Sequence, residues 1–365
     1  MIPLFKVLMT EEATLAAREV LLSGYIGQGA KVDEFELHLQ DTLESPTALL
    51  TLNSCTSALD LSLRMCGVGP GDEVVTTAQT CTATNSPIVT LGATPVWADV
   101  DRDTGLIDPA SVAKLITPKT KAIMAVDWAG RVCDYAALRS FGLPVIEDAA
   151  HAFMATKDGK HVTQCGGDYV CWSLQAIKHL TTIDGGILKC PADQVERARL
   201  LRWYGLDRTG KASSFRCSQN IQEVGFKFHM HDVSASVGLG NLNAAVMGVE
   251  RHRANAAFYD RALSGLKGIN VPPADPGSAW WIYPVLVDDR PSFEAHLSDA
   301  GIATSQVHAR NDKHDAFKRV AMAPLPLPGL EEYSAHQVSI PVGWWVTDEE
   351  RERIAHEVYL WSTKR

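Results

Sequence analysis

The 365-residue chain carries 34 lysines and arginines against 43 aspartates and glutamates, a formal net charge of −9. Its length has room for a large domain and a smaller one, at roughly 100–200 residues each, and an acidic balance with no basic block excludes nucleic acid and anionic membrane surfaces as partners. The N-terminus reaches Glu11 and Glu12 too early for a signal peptide, no apolar run approaches a membrane span, and a cytoplasmic location is expected.

Eight cysteines (55, 66, 81, 133, 165, 171, 190 and 217) make no Cys-x-x-Cys pair, and most are expected as buried reduced thiols. The pairs His229 with His231 and His308 with His314 match no standard ligand spacing, so no metal is expected.

Thr10-Glu11-Glu12 opens a helical pattern over 10–23, which stops at Ser23-Gly24-Tyr25-Ile26-Gly27-Gln28-Gly29. Three glycines there permit close approach to a ligand or a neighbouring chain, or make an ordinary connector. A second helix follows over 31–43, through Val32, Phe35, Leu39 and Leu43, and then a buried strand over 48–52. Asn53-Ser54-Cys55-Thr56-Ser57 turns that strand into a helix. The hydroxyls of Thr56 and Ser57 suit either a phosphate at the helix N-terminus or simple capping.

Strands at 73–77, 95–100, 122–126 and 144–146 alternate with helices at 82–91, 109–116 and 135–141. Such repeats build a mostly parallel sheet covered on both faces, with ligands beyond the carboxyl ends of its strands. Asp148 follows one such end, where a carboxylate meets a ligand or caps the next segment.

The run Asp168 to Gly186 holds Lys178 between an apolar stretch and a Thr-Thr, Gly-Gly turn. A lysine kept from bulk water loses its proton readily, as an amine that attacks an aldehyde must. From about Leu242 the texture changes, with a long helix over 246–266, a strand over 280–287, a helix over 292–300, a polar loop from His308 to His314 and a terminal helix over 348–361. These observations divide the α/β chain into a large domain over 1–241 and a smaller C-terminal α/β domain over 242–365.

A lysine on a defined loop, a strand-end aspartate and a hydroxyl-rich helix start together fit pyridoxal 5′-phosphate chemistry: an amine to bond the cofactor, an acid for the pyridine nitrogen and a cradle for the phosphate. The chain also resembles the DegT/DnrJ-type sugar aminotransferases, of fold type I, over nearly its full length. The resembling stretches are Ser23 to Gly29, Asn53 to Leu59, Gly69-Pro70-Gly71-Asp72-Glu73-Val74, Gly92-Ala93-Thr94-Pro95-Val96, Ile146-Glu147-Asp148-Ala149-Ala150-His151 and Ile177 to Gly186.

The resemblance implies a mostly parallel central sheet flanked by helices, Lys178 as the Schiff-base lysine, and Asp148 on the pyridinium nitrogen. It further implies that Thr56, Ser57 and Ser173 hold the phosphate, that Ala150 lies under the ring, and that His151 contacts the ring hydroxyl where many relatives have Gln. Cys81 stands where the family usually has an aromatic to stack on the ring. Lys227, within Gly225-Phe226-Lys227-Phe228, stands in a region where many relatives have an Asn that reaches the neighbouring subunit's phosphate; it is a replacement for that Asn or a surface lysine.

An obligate homodimer with shared active sites is also implied. The expected reaction takes an amino group from glutamate, through a pyridoxamine form of the cofactor, to a nucleotide-linked keto-sugar. The amino-sugar product suits surface polysaccharide or a glycosylated metabolite. Tyr25 and Gly27, the Trp203-Tyr204-Gly205 turn, and His308 with Arg310 are the candidate substrate contacts. Three alternatives stand beside it: a pyridoxamine-dependent sugar dehydratase, an aminotransferase for a cyclitol, and a non-catalytic family member. The dehydratases have His where Lys178 stands, which favours transamination.

Overall fold

Local capping chemistry sets the element boundaries. Thr10 accepts the Ala13 N–H, Ser54 the Ser57 N–H and Asp108 the Ala110 N–H, each satisfying a donor that the helix itself leaves unpaired. At the C-terminus Thr347 and Glu350 form a reciprocal capping box.

The computed structural model describes residues 1–208, 219–320 and 326–365. Its first half runs α1 (Glu11–Ser23), α2 (Ala30–Thr42), β1 (Leu49–Leu52), α3 (Cys55–Met65), β2 (Glu73–Thr77), α4 (Thr82–Thr90), β3 (Thr94–Ala98), α5 (Pro109–Leu115), β4 (Thr120–Val126), α6 (Tyr135–Arg139) and β5 (Val145–Asp148). There follow β6 (Thr156–Lys157), β7 (Lys160–His161), α7 (Val162–Cys165), β8 (Tyr169–Ser173), β9 (Gly186–Lys189) and α8 (Val195–Leu201). The remainder comprises α9 (Asp232–Ala262), β10 (Ile269–Asn270), β11 (Tyr283–Val287), α10 (Arg290–Asp299), α11 (Asp315–Lys318), α12 (Pro328–His336), β12 (Gln337–Ile340) and α13 (Asp348–Thr363).

The central sheet has seven strands in the order β1-β9-β8-β5-β4-β2-β3. Its pairs are parallel from β8 through β5, β4 and β2 to β3, whereas β9 runs antiparallel to both β8 and β1. The expected α/β architecture, with a mostly parallel sheet between helices, is thus present. Strand residues such as Val75, Ile123 and Val170 face one core, and Val74, Met124 and Ile146 face the other, as the two-residue period of a doubly covered sheet requires.

A second sheet, β10-β11-β12, is antiparallel and packs with α10 and α13 around Tyr283, Val285, Phe293, Ile354 and Val358. Ile2 joins this core from the other end of the chain. The expected long helix over 246–266 begins earlier, and α9 runs unbroken through position 241, across the expected boundary between the two domains. Its first half contributes Ala235, Leu242 and Ala245 to the core of the large sheet, and its second half contributes Ala256 and Tyr259 to that of the small one.

Seven cysteines are free thiols, with Cys133, Cys171 and Cys190 buried; Cys217 lies outside the described residues. Among the described residues no helix is long and apolar enough to cross a membrane.

Candidate active site

The carboxyl ends of β5 and β8, the start of α3 and the loop after β8 meet at a cavity of about 300 Å³. Ser54, Thr56, Cys81, Thr84, Asp148, Ala150, His151, Ser173, Lys178, Trp281 and His308 are among the residues that line it. Position follows from topology: residues beyond strand ends on a parallel sheet have no further ladder to join and turn to face a ligand.

Asp148 is the last residue of β5 and is buried. One carboxylate oxygen accepts the Thr84 hydroxyl at 2.7 Å and the other the Ala150 N–H at 3.0 Å. Burial raises its pKa, while those two hydrogen bonds and the Lys178 charge hold it down in part.

Lys178 sits on a loop pinned from four directions. Leu174 O accepts from Thr182 N and Thr181 Oγ1, Thr181 O from Asn241 Nδ2 on α9, Ile177 O from Trp281 Nε1 at 2.9 Å, and His179 Nε2 lies 3.0 Å from Ala279 O. Burial pulls the Lys178 ammonium down to about 8, against the raising pull of Asp148. A buried amine with that pKa exchanges protons near neutrality, which suits a base in transamination.

His151 stacks on Trp281 with ring centroids 3.9 Å apart and lies 6.1 Å from His308. Burial, reinforced by Lys178, keeps both imidazoles neutral: it takes His151 well below the ordinary histidine range and His308 to about 4. The Nδ1 of His151 is buried without a protein partner, an arrangement that calls for a ligand atom.

A family model for the DegT/DnrJ/EryC1/StrS aminotransferase family matches residues 8–359. The chain belongs to this family. Among solved structures, AtS13 from Actinomadura melliaura is 38% identical with a TM-score of 0.92, the match covering 99% of this chain and 98% of that one. The sugar aminotransferase CalS13 from Micromonospora echinospora is 35% identical, with a TM-score of 0.92 and coverage of 99% and 100%. Spr1654 from Streptococcus pneumoniae, a putative sugar aminotransferase solved in a PLP form, is 28% identical, with a TM-score of 0.90 and coverage of 100% and 99%.

In this DegT/DnrJ/EryC1/StrS chain the cavity gathers eight of the residues expected from sequence: Thr56, Cys81, Asp148, Ala150, His151, Ser173, Lys178 and His308. Ser57 is close by but outside the lining. Its hydroxyl donates to Asn53 Oδ1 at 2.7 Å, and its N–H goes to the capping Ser54. Arg310 is not among the lining residues, its guanidinium held by Asp312 at 3.0 and 2.8 Å and by Glu331 at 3.1 Å.

Tyr25 is 85% exposed and Gly27 is also on the surface. Lys227 lies 5.0 Å from the centre of the Trp203 ring and is not among the residues that line the cavity around Lys178. A separate cavity of about 460 Å³, lined by Gln28, Gly29, Arg199, Arg202, Trp203 and Arg208 among others, brings the glycine loop and the Trp203 turn together in one place.

Three residues at or beside the cavity carry no clear signal in the sequence: Thr84 and Trp281, which line it, and Asn311, which is tied to the residues beside it. Thr84, on α4, carries no local signal beyond a hydroxyl in a helix. Asn311 ties its segment to α4, donating to Thr80 O at 2.7 Å and accepting from Asn85 at 2.9 Å. Trp281 reads as one of a pair of strand-like tryptophans, and only folding brings it to Lys178.

Proposed function

We propose that the protein transfers the amino group of glutamate to a nucleotide-linked keto-sugar, and that it works as a homodimer in the cytoplasm. Family membership makes it a pyridoxal-phosphate-dependent sugar aminotransferase; the donor, the nucleotide and the assembly are what the proposal adds. The observation that carries it is a single cavity joining a buried lysine of lowered pKa, a buried aspartate, a hydroxyl-lined helix start and two neutral histidines.

These residues fit the cofactor. Asp148 is a buried acid whose charge a cation in the cavity would relieve, and it would hold the protonated ring nitrogen. Ser54, Thr56 and Ser173 line the cavity with hydroxyls, two of them at the start of α3, where a helix N-terminus favours phosphate. The unpartnered Nδ1 of His151 would meet a ring oxygen.

When bound, pyridoxal phosphate supplies a carbonyl that bonds amines and a ring that accepts electrons. Lys178 would take a proton at Nζ from one carbon and deliver it to the acceptor carbon. Burial makes that exchange easy near neutral pH. Trp281, Ile177 and Ala150 keep bulk water from the amine, and His308, neutral, is free to hydrogen-bond a sugar hydroxyl. Exposed Leu22, Tyr25 and Val224, at 73%, 85% and 81%, support a subunit contact. In the proposed dimer, the glycine loop and Lys227 serve the neighbouring site.

The test is to load the protein with pyridoxamine phosphate and offer a panel of nucleotide keto-sugars, following cofactor return by absorbance and the amino-sugar by mass spectrometry. Amination of at least one nucleotide sugar, abolished in Lys178→Ala, is expected. Amination of free cyclitol ketones alone would overturn the acceptor, and full transfer by Lys178→Ala would overturn the role of the lysine.

A further inference from the structure

Trp281 meets the Lys178 segment twice. Its indole N–H donates to the carbonyl of Ile177, the residue before the lysine, at 2.9 Å. Its ring then lies beneath the side chain, with Lys178 Nζ 3.5 Å from the ring centroid. An ammonium at that distance over an indole is attracted by the negative face of the ring, more strongly when water is excluded.

The ring is itself held in place. His151 stacks on it at 3.9 Å and 24°, and Phe5, from the N-terminal segment, stacks at 4.8 Å and 25°. His151 is kept neutral by burial and by Lys178, so it does not compete as a cation for the indole face. Asp148 and the thiols of Cys55 and Cys81 act on the Lys178 charge, and Asp184 and His308 also line the cavity. A free ammonium therefore has few ways to be stabilised in this cavity, and the indole is one of them.

We infer that Trp281 is a positioning residue for Lys178: its N–H fixes the backbone beside the lysine, and its face receives the amine as an ammonium whenever that amine is not bonded to the cofactor. The inference rests on the proposed role of Lys178 as the amine that carries and releases the cofactor. It gives the small C-terminal part of the chain a direct hand in the chemistry of the large sheet, because Trp281 immediately precedes Ile282 and β11.

The test uses Trp281→Phe, which keeps an aromatic face and loses the N–H, and Trp281→Leu, which loses both. In protein loaded with pyridoxamine phosphate, where Lys178 is free, the pH midpoint for acylation of Lys178 is read by mass spectrometry of its peptide. Trp281→Leu is expected to lower that midpoint by about one unit, whereas Trp281→Phe leaves it within about 0.3 unit.

Trp281→Phe is also expected to lower kcat roughly threefold to tenfold with KM for the sugar unchanged, because the Ile177 carbonyl loses its anchor and the amine its alignment. A midpoint in Trp281→Leu equal to or above wild type would overturn the ammonium-cradling role. A rise in KM with kcat unchanged in Trp281→Phe would make Trp281 a substrate wall and overturn the positioning role. Borohydride treatment of wild type with pyridoxal phosphate separates the two ideas. If it fails to fix a pyridoxyl group on the Lys178 peptide, the proposed role of Lys178 fails; if it succeeds and the variants behave like wild type, only the inference about Trp281 fails.

Discussion

Asp148 depends on a short relay of hydroxyls. Thr80 and Thr84 share a hydrogen bond of 2.7 Å, and Thr84 donates onward to Asp148 at 2.7 Å, so the Thr84 hydroxyl stabilises the carboxylate and not the acid. Thr84→Val keeps the shape and removes that donor. The carboxyl pKa, already raised by burial, rises further. The proposed pairing of Asp148 with a protonated ring nitrogen needs the ionised acid, so cofactor affinity should weaken on the acidic side and recover as pH increases. The pH midpoint of cofactor binding, measured by fluorescence titration, should move upward by about one unit, equivalent to about 1.4 kcal/mol. An unchanged midpoint would remove Thr84 from the site.

Among the elements, α9 is where packing overrides propensity. Gly238 and Gly240 weaken a helix interior, yet a Cβ at Gly240 would stand 2.4 Å from the backbone of Ala13 and one at Gly238 2.4 Å from the Phe35 ring. The absence of side chains lets α1 and α2 lie directly against α9. The same stretch of α9 offers Asn241, which accepts from Thr10 N at 3.0 Å and donates to Thr181 O at 3.0 Å, linking the start of α1 to the Lys178 loop. Gly240→Ala would gain about 1 kcal/mol in helix propensity, but overpacking against backbone costs about 1–3 kcal/mol. Because Ala13 cannot move without α1, the clash should win, with a net loss of up to about 2 kcal/mol in chemical denaturation. A stabilised variant would show that α1 is free to shift.

For the whole molecule, the response to pH has a definite source beneath the active site. Asp127 and Glu147, at the ends of adjacent strands, are both fully buried and act on each other electrostatically, and burial, the largest cause for each, raises both pKa values. Asp127 also accepts from Cys133 N and Tyr135 Oη, and Glu147 from Gly167 N. The folded chain therefore holds more protons here than the unfolded chain does. Stability from the pair is complete below the ordinary carboxylate range, and it falls as pH rises through the raised values, by up to about 1.4 kcal/mol per pH unit for each proton. Glu147→Gln keeps the acceptor for Gly167 and supplies a permanent N–H to Asp127. It should flatten the decline of Tm as pH rises from the ordinary carboxylate range through the raised values. An identical slope in wild type and variant would place the titration elsewhere.

What the chain carries locally was legible without a structure. The alternation of apolar strands and amphipathic helices, the capped start of α3, Asp148 at a strand end and Lys178 before its Thr-Thr, Gly-Gly turn are all set by neighbours within a few residues, and periodicity and capping report such relations directly. The reversed direction of β9, the early start of α9 and the partnership of Trp281 with Lys178 were not legible. Each depends on pairing or packing between segments far apart in the chain: Thr51 opposite Ile187, Gly240 against Ala13, and the Trp281 indole on the Ile177 carbonyl, 104 positions away. Local sequence thus determined which groups could do chemistry. Tertiary structure decided which of them share a cavity, because burial and hydrogen-bond geometry exist only once distant segments have closed on one another.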